Sequence, residues 1–62
     1  MDELKKFREG KRMTQRQMAS KIGVSLSYYR KIEQGENNPS YQFMKKLKDV
    51  FPKASVDKLF FK

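Results

Sequence analysis

The side chains of this sequence that could do chemistry are cations and neutral hydrogen-bonding groups. The 62 residues hold 15 Lys and Arg against 7 Asp and Glu, with no His and no Cys, so the formal net charge is +8. The absence of Cys and His excludes a disulfide framework, a thiolate nucleophile, a zinc cluster and the commonest general base. The chemistry that remains favours binding of a negatively charged partner.

Catalysis by the acidic residues is not expected. Seven scattered carboxylates could in principle pair for acid–base work, but a chain this small has little room for a substrate cleft. We therefore predict no catalytic residue, no metal site and no cofactor, and we expect no small-molecule ligand.

The length allows one small domain. Domains usually have about 100 residues or more, and the 37% of apolar residues suffices for one modest core, so residues 1–62 are predicted to form a single domain. The longest apolar run, Leu59 to Phe61, is far shorter than the roughly 20 apolar residues of a membrane span. The start Met1-Asp2-Glu3 lacks the basic and apolar regions of a signal peptide. We expect a soluble cytoplasmic protein that does not bind membranes.

Capping residues, glycines and prolines divide the chain into five short predicted helices. Thr14, followed three residues later by Gln17, is a capping box that predicts a helix start. Gly10, Gly23 and Gly35 can end the helices that precede them. No segment shows sustained alternation with β-branched enrichment, so no sheet is predicted. The helices are expected after a capping Asp2 to about Glu9, from Gln15 to about Ile22, after Ser25 from Leu26 to about Gln34, after Ser40 from Tyr41 to about Phe51, and after Ser55 from Val56 to about Phe61.

The second and third predicted helices form the most informative pair. Only about three residues separate them, and one of these is Gly23. Ala19 is small enough to let the two helices cross closely, while Val24, Tyr29 and Ile32 are expected to point toward the core. Two helices joined by a short turn containing Gly, in a very basic domain, describe a helix-turn-helix. The alternative is an ordinary helical hairpin in another small bundle.

Several segments of the chain, with their spacing, resemble the Cro/C1-type helix-turn-helix family, also called the XRE family. The resemblance implies an all-α, compact five-helix bundle containing a helix-turn-helix, the fold of lambda repressor-like DNA-binding domains. It also implies a DNA-binding regulator encoded by a bacterium or phage. The segments are Leu4-Lys-Lys-Phe-Arg8, Met13-Thr-Gln-Arg-Gln-Met-Ala19, Ile22-Gly-Val-Ser25, Lys31-Ile-Glu-Gln-Gly35, Asn38-Pro-Ser40 and Val56-Asp-Lys-Leu-Phe60.

In this family the third helix lies in the DNA major groove. Helical spacing agrees in part, because Leu26, Ser27, Arg30 and Lys31 lie opposite the inward Tyr29 and Ile32. Lys31 can donate to guanine, Ser27 can donate or accept, and Leu26 can pack on a thymine methyl. The alternatives are a phosphate or solvent contact for Lys31 and a surface position without a role for Leu26. The base-reading residues implied by the resemblance are Ser25, Leu26, Ser27, Tyr28 and Lys31.

A second set of residues matches positions that hold the sugar-phosphate backbone in the family. Gln15 opens the second helix, where relatives use a Gln to touch a phosphate and brace the recognition helix. Simple solvent exposure for Gln15, and simple capping or turn roles for Thr14, Asn37 and Asn38, are the alternatives. Glu36 departs from the Lys or Arg often found beside them, which shifts the expected phosphate contacts toward Arg12, Arg16 and the N-terminal lysines. The full predicted set is Arg12, Thr14, Gln15, Arg16, Arg30, Asn37 and Asn38.

Two further positions concern the core. Arg8 and Glu33 match a buried ion pair that ties the first helix to the end of the recognition helix in relatives, and we interpret them as structural rather than as a site; the alternative for Arg8 is a DNA-facing charge. Tyr29 departs from the small aliphatic residue usual at its position. Either the core is rearranged around its ring or its hydroxyl reaches the surface.

Aromatic residues late in the chain are the candidates for a dimer contact. Phe43 and Phe61 look too exposed for so small a core, and exposed aromatic surface commonly marks a contact with another chain. The alternative is that both tuck into the local core. Relatives dimerise through the end of the fourth helix and the fifth, which makes Phe43, Phe60 and Phe61 the candidates.

The leading hypothesis is a sequence-specific double-stranded DNA binder. It would act as a repressor on operator DNA, as a homodimer on an inverted repeat. Without a second domain, it resembles a small Cro-like phage or mobile-element regulator. The alternatives are an antitoxin-type protein-interaction module with autoregulatory DNA binding, and non-specific binding to RNA or an anionic membrane.

Overall fold

Four α-helices make up the part of the chain that the computed structural model describes, residues 2–55 and 59. Helix α1 spans Asp2–Gly10, α2 spans Gln15–Ile22, α3 spans Leu26–Glu33 and α4 spans Tyr41–Val50. No strand occurs within these described residues, so the predicted all-α class is confirmed. The predicted fifth helix over 56–61 lies outside them, apart from Leu59, whose side chain is buried.

The starts of three helices follow the predicted capping residues. The Gln17 N–H donates to Thr14 Oγ1 at 3.0 Å, and the Thr14 N–H donates to Gln17 Oε1 at 2.9 Å, so both halves of the capping box form. Ser25 and Ser40 cap α3 and α4 in the same way, each accepting from the N–H three residues later at 3.1 Å. Asp2 is itself the first residue of α1 rather than a cap outside it.

The end of α1 differs from the prediction that Gly10 terminates it. Gly10 is still helical, and the residue in the left-handed region is Arg12, with φ 58°. The Met13 N–H donates to the Arg8 carbonyl at 3.3 Å, and the Arg12 N–H donates to the Glu9 carbonyl at 2.9 Å. This pair of bonds is a Schellman motif, with Arg12 in the position that glycine usually occupies.

Helices α2 and α3 end as the sequence predicts, on glycines with positive φ. Gly23 has φ 92° and Gly35 has φ 82°. After Gly23, the Val24 N–H donates to the Ala19 carbonyl at 3.0 Å, and after Gly35, the Glu36 N–H donates to the Lys31 carbonyl at 2.9 Å. The reversal at Gly23 lets only three residues separate α2 from α3 and produces the compact turn of the helix-turn-helix.

The core takes apolar side chains from each of the four helices. Ala19 is 2% exposed in the α2–α3 contact, as its small size predicts. Phe7, Met13, Val24, Tyr28 and Phe51 are half-buried and pack against this core. The buried apolar residues are Leu4, Met18, Ala19, Ile22, Tyr29, Ile32, Phe43, Leu47, Ala54 and Leu59.

Tyr29 and Phe43 show that the core is rearranged around a large ring. Tyr29 is 0% exposed, so its hydroxyl does not reach the surface. Phe43 is 1% exposed, and its ring centroid lies 6.3 Å from that of Tyr29 and 5.9 Å from that of Tyr28. The expectation that Phe43 is an exposed dimer contact is therefore wrong, because the two tyrosine rings of α3 enclose it. Phe60 and Phe61 lie outside the described residues.

None of the helices in the described part of the chain has the length and apolar character needed to cross a membrane.

Replacing glycine by alanine should have opposite effects at two helix ends. A methyl group at Gly10 or Gly23 would meet no atom within 4 Å, so only backbone conformation decides the result. Gly10→Ala should stabilise the fold by about 0.5–1 kcal/mol, because Gly10 is helical. Gly23→Ala should destabilise it by about 1 kcal/mol or more, because φ at this position is 92°. Urea unfolding of both variants measures these changes, and equal signs would contradict the conformational argument.

Candidate nucleic-acid interface

An ion pair between α1 and α3 organises the interface from within. Arg8 Nε donates to Glu33 Oε2 at 3.0 Å, and Arg8 Nη2 donates to Glu33 Oε1 at 3.0 Å, so the contact is bidentate. Arg8 Nη1 donates to the Met13 carbonyl at 2.8 Å. The side chains are only 12% and 5% exposed. One guanidinium thus joins α1, the turn before α2 and the last residue of α3.

Gln15, the first residue of α2, extends this network toward the surface. Its Nε2 donates to Glu33 Oε1 at 3.1 Å, while its Oε1 accepts from Arg30 Nε at 3.3 Å. The start of α2 is therefore held against the second half of α3. This is the bracing arrangement that the family resemblance implies for Gln15.

Burial and hydrogen bonding act in opposite directions on Glu33. Burial alone would raise the pKa of the Glu33 carboxyl, but the hydrogen bonds from Arg8 and Gln15 outweigh it and hold the pKa below its ordinary value of 4.5. The same contact raises the pKa of the Arg8 guanidinium. Burial, with the nearby Glu33 charge, also raises the pKa of Tyr29. At neutral pH the network contains one positive and one negative charge beside a neutral tyrosine.

The Tyr29 hydroxyl lies beside this network without a well-formed hydrogen bond to it. It is buried and forms no hydrogen bond of good geometry with any described residue. The ring fills the space beside Phe43, with the two centroids 6.3 Å apart.

Helix α3 presents a polar outer face opposite its buried face. Tyr29, Ile32 and Glu33 are buried. Ser27, Arg30 and Lys31 are exposed on the other side, and Leu26 is half-buried at the edge. The predicted base-reading residues Ser27 and Lys31 thus lie together on one face, one turn apart. Ser25 stands at the start of this face, with its Oγ accepting from the Tyr28 N–H.

Tyr28 does not join that face, although the resemblance placed it there. Its hydroxyl donates to Ser40 Oγ at 3.3 Å, and its ring contacts Phe43 edge to face. Both contacts direct the side chain toward the start of α4. Ser40 was predicted only as a helix cap. The Tyr28–Ser40 contact joins α3 to the cap of α4, 12 residues away, a separation for which the sequence contains no local signal.

The predicted phosphate-binding residues divide into engaged and free groups. Thr14 acts as a cap, and Gln15 and Arg30 bond to each other. The remaining four are exposed and make no side-chain hydrogen bond within residues 2–55 and 59: Arg12, Arg16, Asn37 and Asn38.

Two exposed lysines that contribute to the basic charge have partners within the domain. Lys11 Nζ lies 5.3 Å from the Phe7 ring centroid and 5.4 Å from that of Phe51. Lys48 Nζ donates to the Ala54 carbonyl at 2.9 Å, which ties α4 to the segment after it. Of these contacts, only that of Lys11 with Phe51 joins residues distant in sequence, and none could be predicted from composition.

Comparison with known proteins agrees with this geometry. The helix-turn-helix family matches residues 4–59. The chain belongs to the Cro/C1-type helix-turn-helix family. The cryptic phage CTXphi transcriptional repressor RstR of Vibrio cholerae serotype O1 is 44% identical to this helix-turn-helix protein over 46 residues. The match covers 74% of the chain but only 40% of that relative's length. No solved structure matches the chain.

Family membership identifies the helix-turn-helix within the fold. It consists of helices α2 and α3 with the turn at Gly23 between them. The chain is accordingly a DNA-binding domain of the kind found in transcriptional regulators, rather than an enzyme.

Breaking the ion pair should destabilise the helix-turn-helix. Glu33→Gln removes the charge that compensates Arg8 and should lower the free energy of unfolding by about 3–5 kcal/mol. Urea unfolding followed by circular dichroism measures the change. The matched control is Glu36→Gln, an exposed position, which should change stability by less than about 0.5 kcal/mol. Equal effects of the two variants would contradict the structural role of Glu33.

Acid should weaken the same network. Because the pKa of Glu33 is lower in the folded protein than its ordinary 4.5, the stabilisation is fully present above about pH 4.5. It is lost as the pH falls through the lower pKa of the folded state, since the unfolded chain then binds the proton more readily. The urea midpoint of unfolding, measured at pH 7, 5, 4 and 3, should fall between pH 5 and pH 3. A midpoint that rises between pH 5 and pH 3 would contradict this assignment.

Proposed function

We propose that this chain recognises a specific double-stranded DNA operator with the exposed face of α3 in the major groove, and that it represses transcription. The observation that carries the proposal is the two-sided character of α3. One side is buried and clamped by Arg8 and Gln15 through Glu33, while the other presents Ser27 and Lys31 to the outside. A clamped helix with free polar groups suits base recognition, because direct readout needs donors held in a fixed register.

Each residue of the α3 face has a distinct proposed role. Lys31 donates to guanine O6 and N7, Ser27 exchanges a hydrogen bond with a base edge, and Leu26 packs on a thymine methyl. Ser25 precedes the helix, and its hydroxyl, which accepts from the Tyr28 N–H, can still donate a hydrogen bond to DNA. Tyr28 is directed toward Ser40, so we assign it to the support of α4 rather than to base reading.

Phosphate contacts are proposed on both sides of that face. Gln15 and Arg30, joined at 3.3 Å, form one group at the start of α2 with Thr14. The free N–H groups at this helix start add positive potential. Arg12 and Arg16 are the exposed cations nearby in sequence. Asn37 and Asn38, exposed after α3, are the proposed contacts on the other side.

The biological role proposed for the whole protein is that of a small phage or mobile-element repressor. The similar CTXphi protein is called a transcriptional repressor, which supports this role. We propose a homodimer on an inverted repeat, with half-sites about one helical turn apart, acting in the cytoplasm where operator DNA is found.

Selection of binding sites from random-sequence duplexes tests the proposal directly. The full chain should enrich a defined motif, and a dimer should enrich two inverted copies of it. Enrichment of no motif, with equal affinity for all duplexes, would overturn sequence-specific recognition.

Lys31→Ala should weaken binding to the selected site by about 1–3 kcal/mol while changing the affinity for random DNA much less. The reason is that a base contact is lost only where the correct base is present. Arg30→Ala should weaken binding to the selected and the random duplex equally, because phosphate contacts do not depend on the DNA sequence. Fluorescence anisotropy at one fixed salt concentration measures both. An equal loss on the two duplexes for Lys31→Ala would make Lys31 a phosphate contact.

A further inference from the structure

The outward face of α2 contains a shallow cation-lined cleft of about 540 Å³. Three of its lining residues are basic and none is acidic. None of the three basic residues forms an ion pair with a carboxylate in the part of the chain that the structure describes. The described lining residues are Arg12, Met13, Arg16, Gln17, Ser20 and Lys21.

Arg12, at the edge of this cleft, has an unfavourable backbone conformation. Its φ of 58° lies in the left-handed region, and it is the only non-glycine residue with positive φ among residues 2–55. The equivalent positions after α2 and α3 are Gly23 and Gly35. The fold therefore uses glycine at two of three equivalent helix ends and arginine at the third, although a Cβ disfavours this conformation.

The side chain of Arg12 provides no compensating interaction within the domain. It is exposed and makes no hydrogen bond, ion pair or ring contact with any described residue. Arg8, four residues earlier, makes three hydrogen bonds. A strained residue whose side chain does not stabilise the fold is best explained by a contact outside it.

The chemistry of the cleft fits a phosphodiester strand. Guanidinium groups bind phosphate oxygens through paired N–H donors, and Arg12 and Arg16 supply two of them. Arg16 follows Gln15, which with Arg30 forms the proposed phosphate contact at the start of α2. Lys21, in the last turn of α2, adds a third cation to the same cleft.

We propose that the outward face of α2 is a DNA-backbone surface built from Arg12, Arg16 and Lys21, and that arginine is kept at position 12 for this contact at the expense of stability. The inference rests on the proposed DNA binding and extends it to Lys21. Affinity and stability are in conflict at Arg12, because glycine would suit the backbone and lose the charge.

The test is Arg12→Gly in the full chain, measured for both stability and binding. The thermal midpoint should rise by about 4 °C or more, because strain is removed. Affinity for the selected duplex and for a random duplex should fall equally, by about 3- to 10-fold at 0.1 M salt, and the slope of log affinity against log salt should decrease by about one. Lys21→Ala should produce the same equal loss on both duplexes without a rise in thermal midpoint.

Two control variants separate this surface from general charge effects. Arg12→Lys keeps the charge and the strain, so it should retain most of the affinity and gain no stability. Lys45→Ala removes an exposed charge from α4 and should leave affinity nearly unchanged. A loss for Lys45→Ala as large as that for Arg12→Gly would overturn the proposal, since net charge alone would then explain the result.

The remaining outcomes are also decisive. A wild-type protein that binds no duplex would overturn the proposed function together with this inference. A wild-type protein that binds, with Arg12→Gly binding equally well, would overturn only this inference. An unchanged thermal midpoint in Arg12→Gly would contradict the claim that the backbone conformation of Arg12 lowers stability. Unchanged DNA affinity with loss of binding to a poly-glutamate peptide would assign the cleft to an acidic protein segment instead.

Discussion

The bidentate contact between Arg8 and Glu33 determines how the recognition helix is held. Withdrawing two charges from water is unfavourable unless their geometry is good and their remaining hydrogen-bonding capacity is used. Here the guanidinium also reaches the Met13 carbonyl, and the carboxylate also accepts from Gln15. These extra bonds join the last turn of α1, the start of α2 and the last residue of α3. The ion pair therefore ties α3 to α1, and through Gln15 the same carboxylate ties α3 to the start of α2.

Gln15 carries the effect of this buried contact to the surface. Its amide donates inward to Glu33 and accepts outward from Arg30, so the position of an exposed cation depends on a buried carboxylate. Arg30 is thereby held in place within the domain, and in the proposed DNA complex this reduces the entropy lost on binding. A buried residue that does not contact DNA can in this way affect how tightly the surface residues bind it.

Local patterns predicted most of the fold, and contacts between helices account for what they missed. The caps at Thr14, Ser25 and Ser40 and the turn at Gly23 depend on neighbours within about four residues, so spacing reveals them. The pairing of Arg8 with Glu33, 25 residues apart, came only from family resemblance. Burial of Phe43 was missed because it depends on the Tyr28 and Tyr29 rings of another helix. The left-handed conformation of Arg12 was missed because Gly10 looked like the better helix end. The chain reverses at Arg12 instead, two residues later, and the Arg8 side chain bonds to the Met13 carbonyl just after this reversal.

The net charge of +8 says less about DNA binding than the placement of individual cations does. Arg8 is neutralised by Glu33, Lys11 lies against two phenylalanine rings, and Lys48 is bonded to the Ala54 carbonyl. Such cations still contribute to the long-range field, but moving them to a phosphate would break contacts that stabilise the fold. The cations on α2 face no such exchange. Affinity is therefore expected to come mainly from side chains with no partner in the domain, while discrimination comes from the few polar groups of α3. Because counterion release acts on the first group and hydrogen-bond matching on the second, salt would change how tightly this protein binds far more than which sequence it selects.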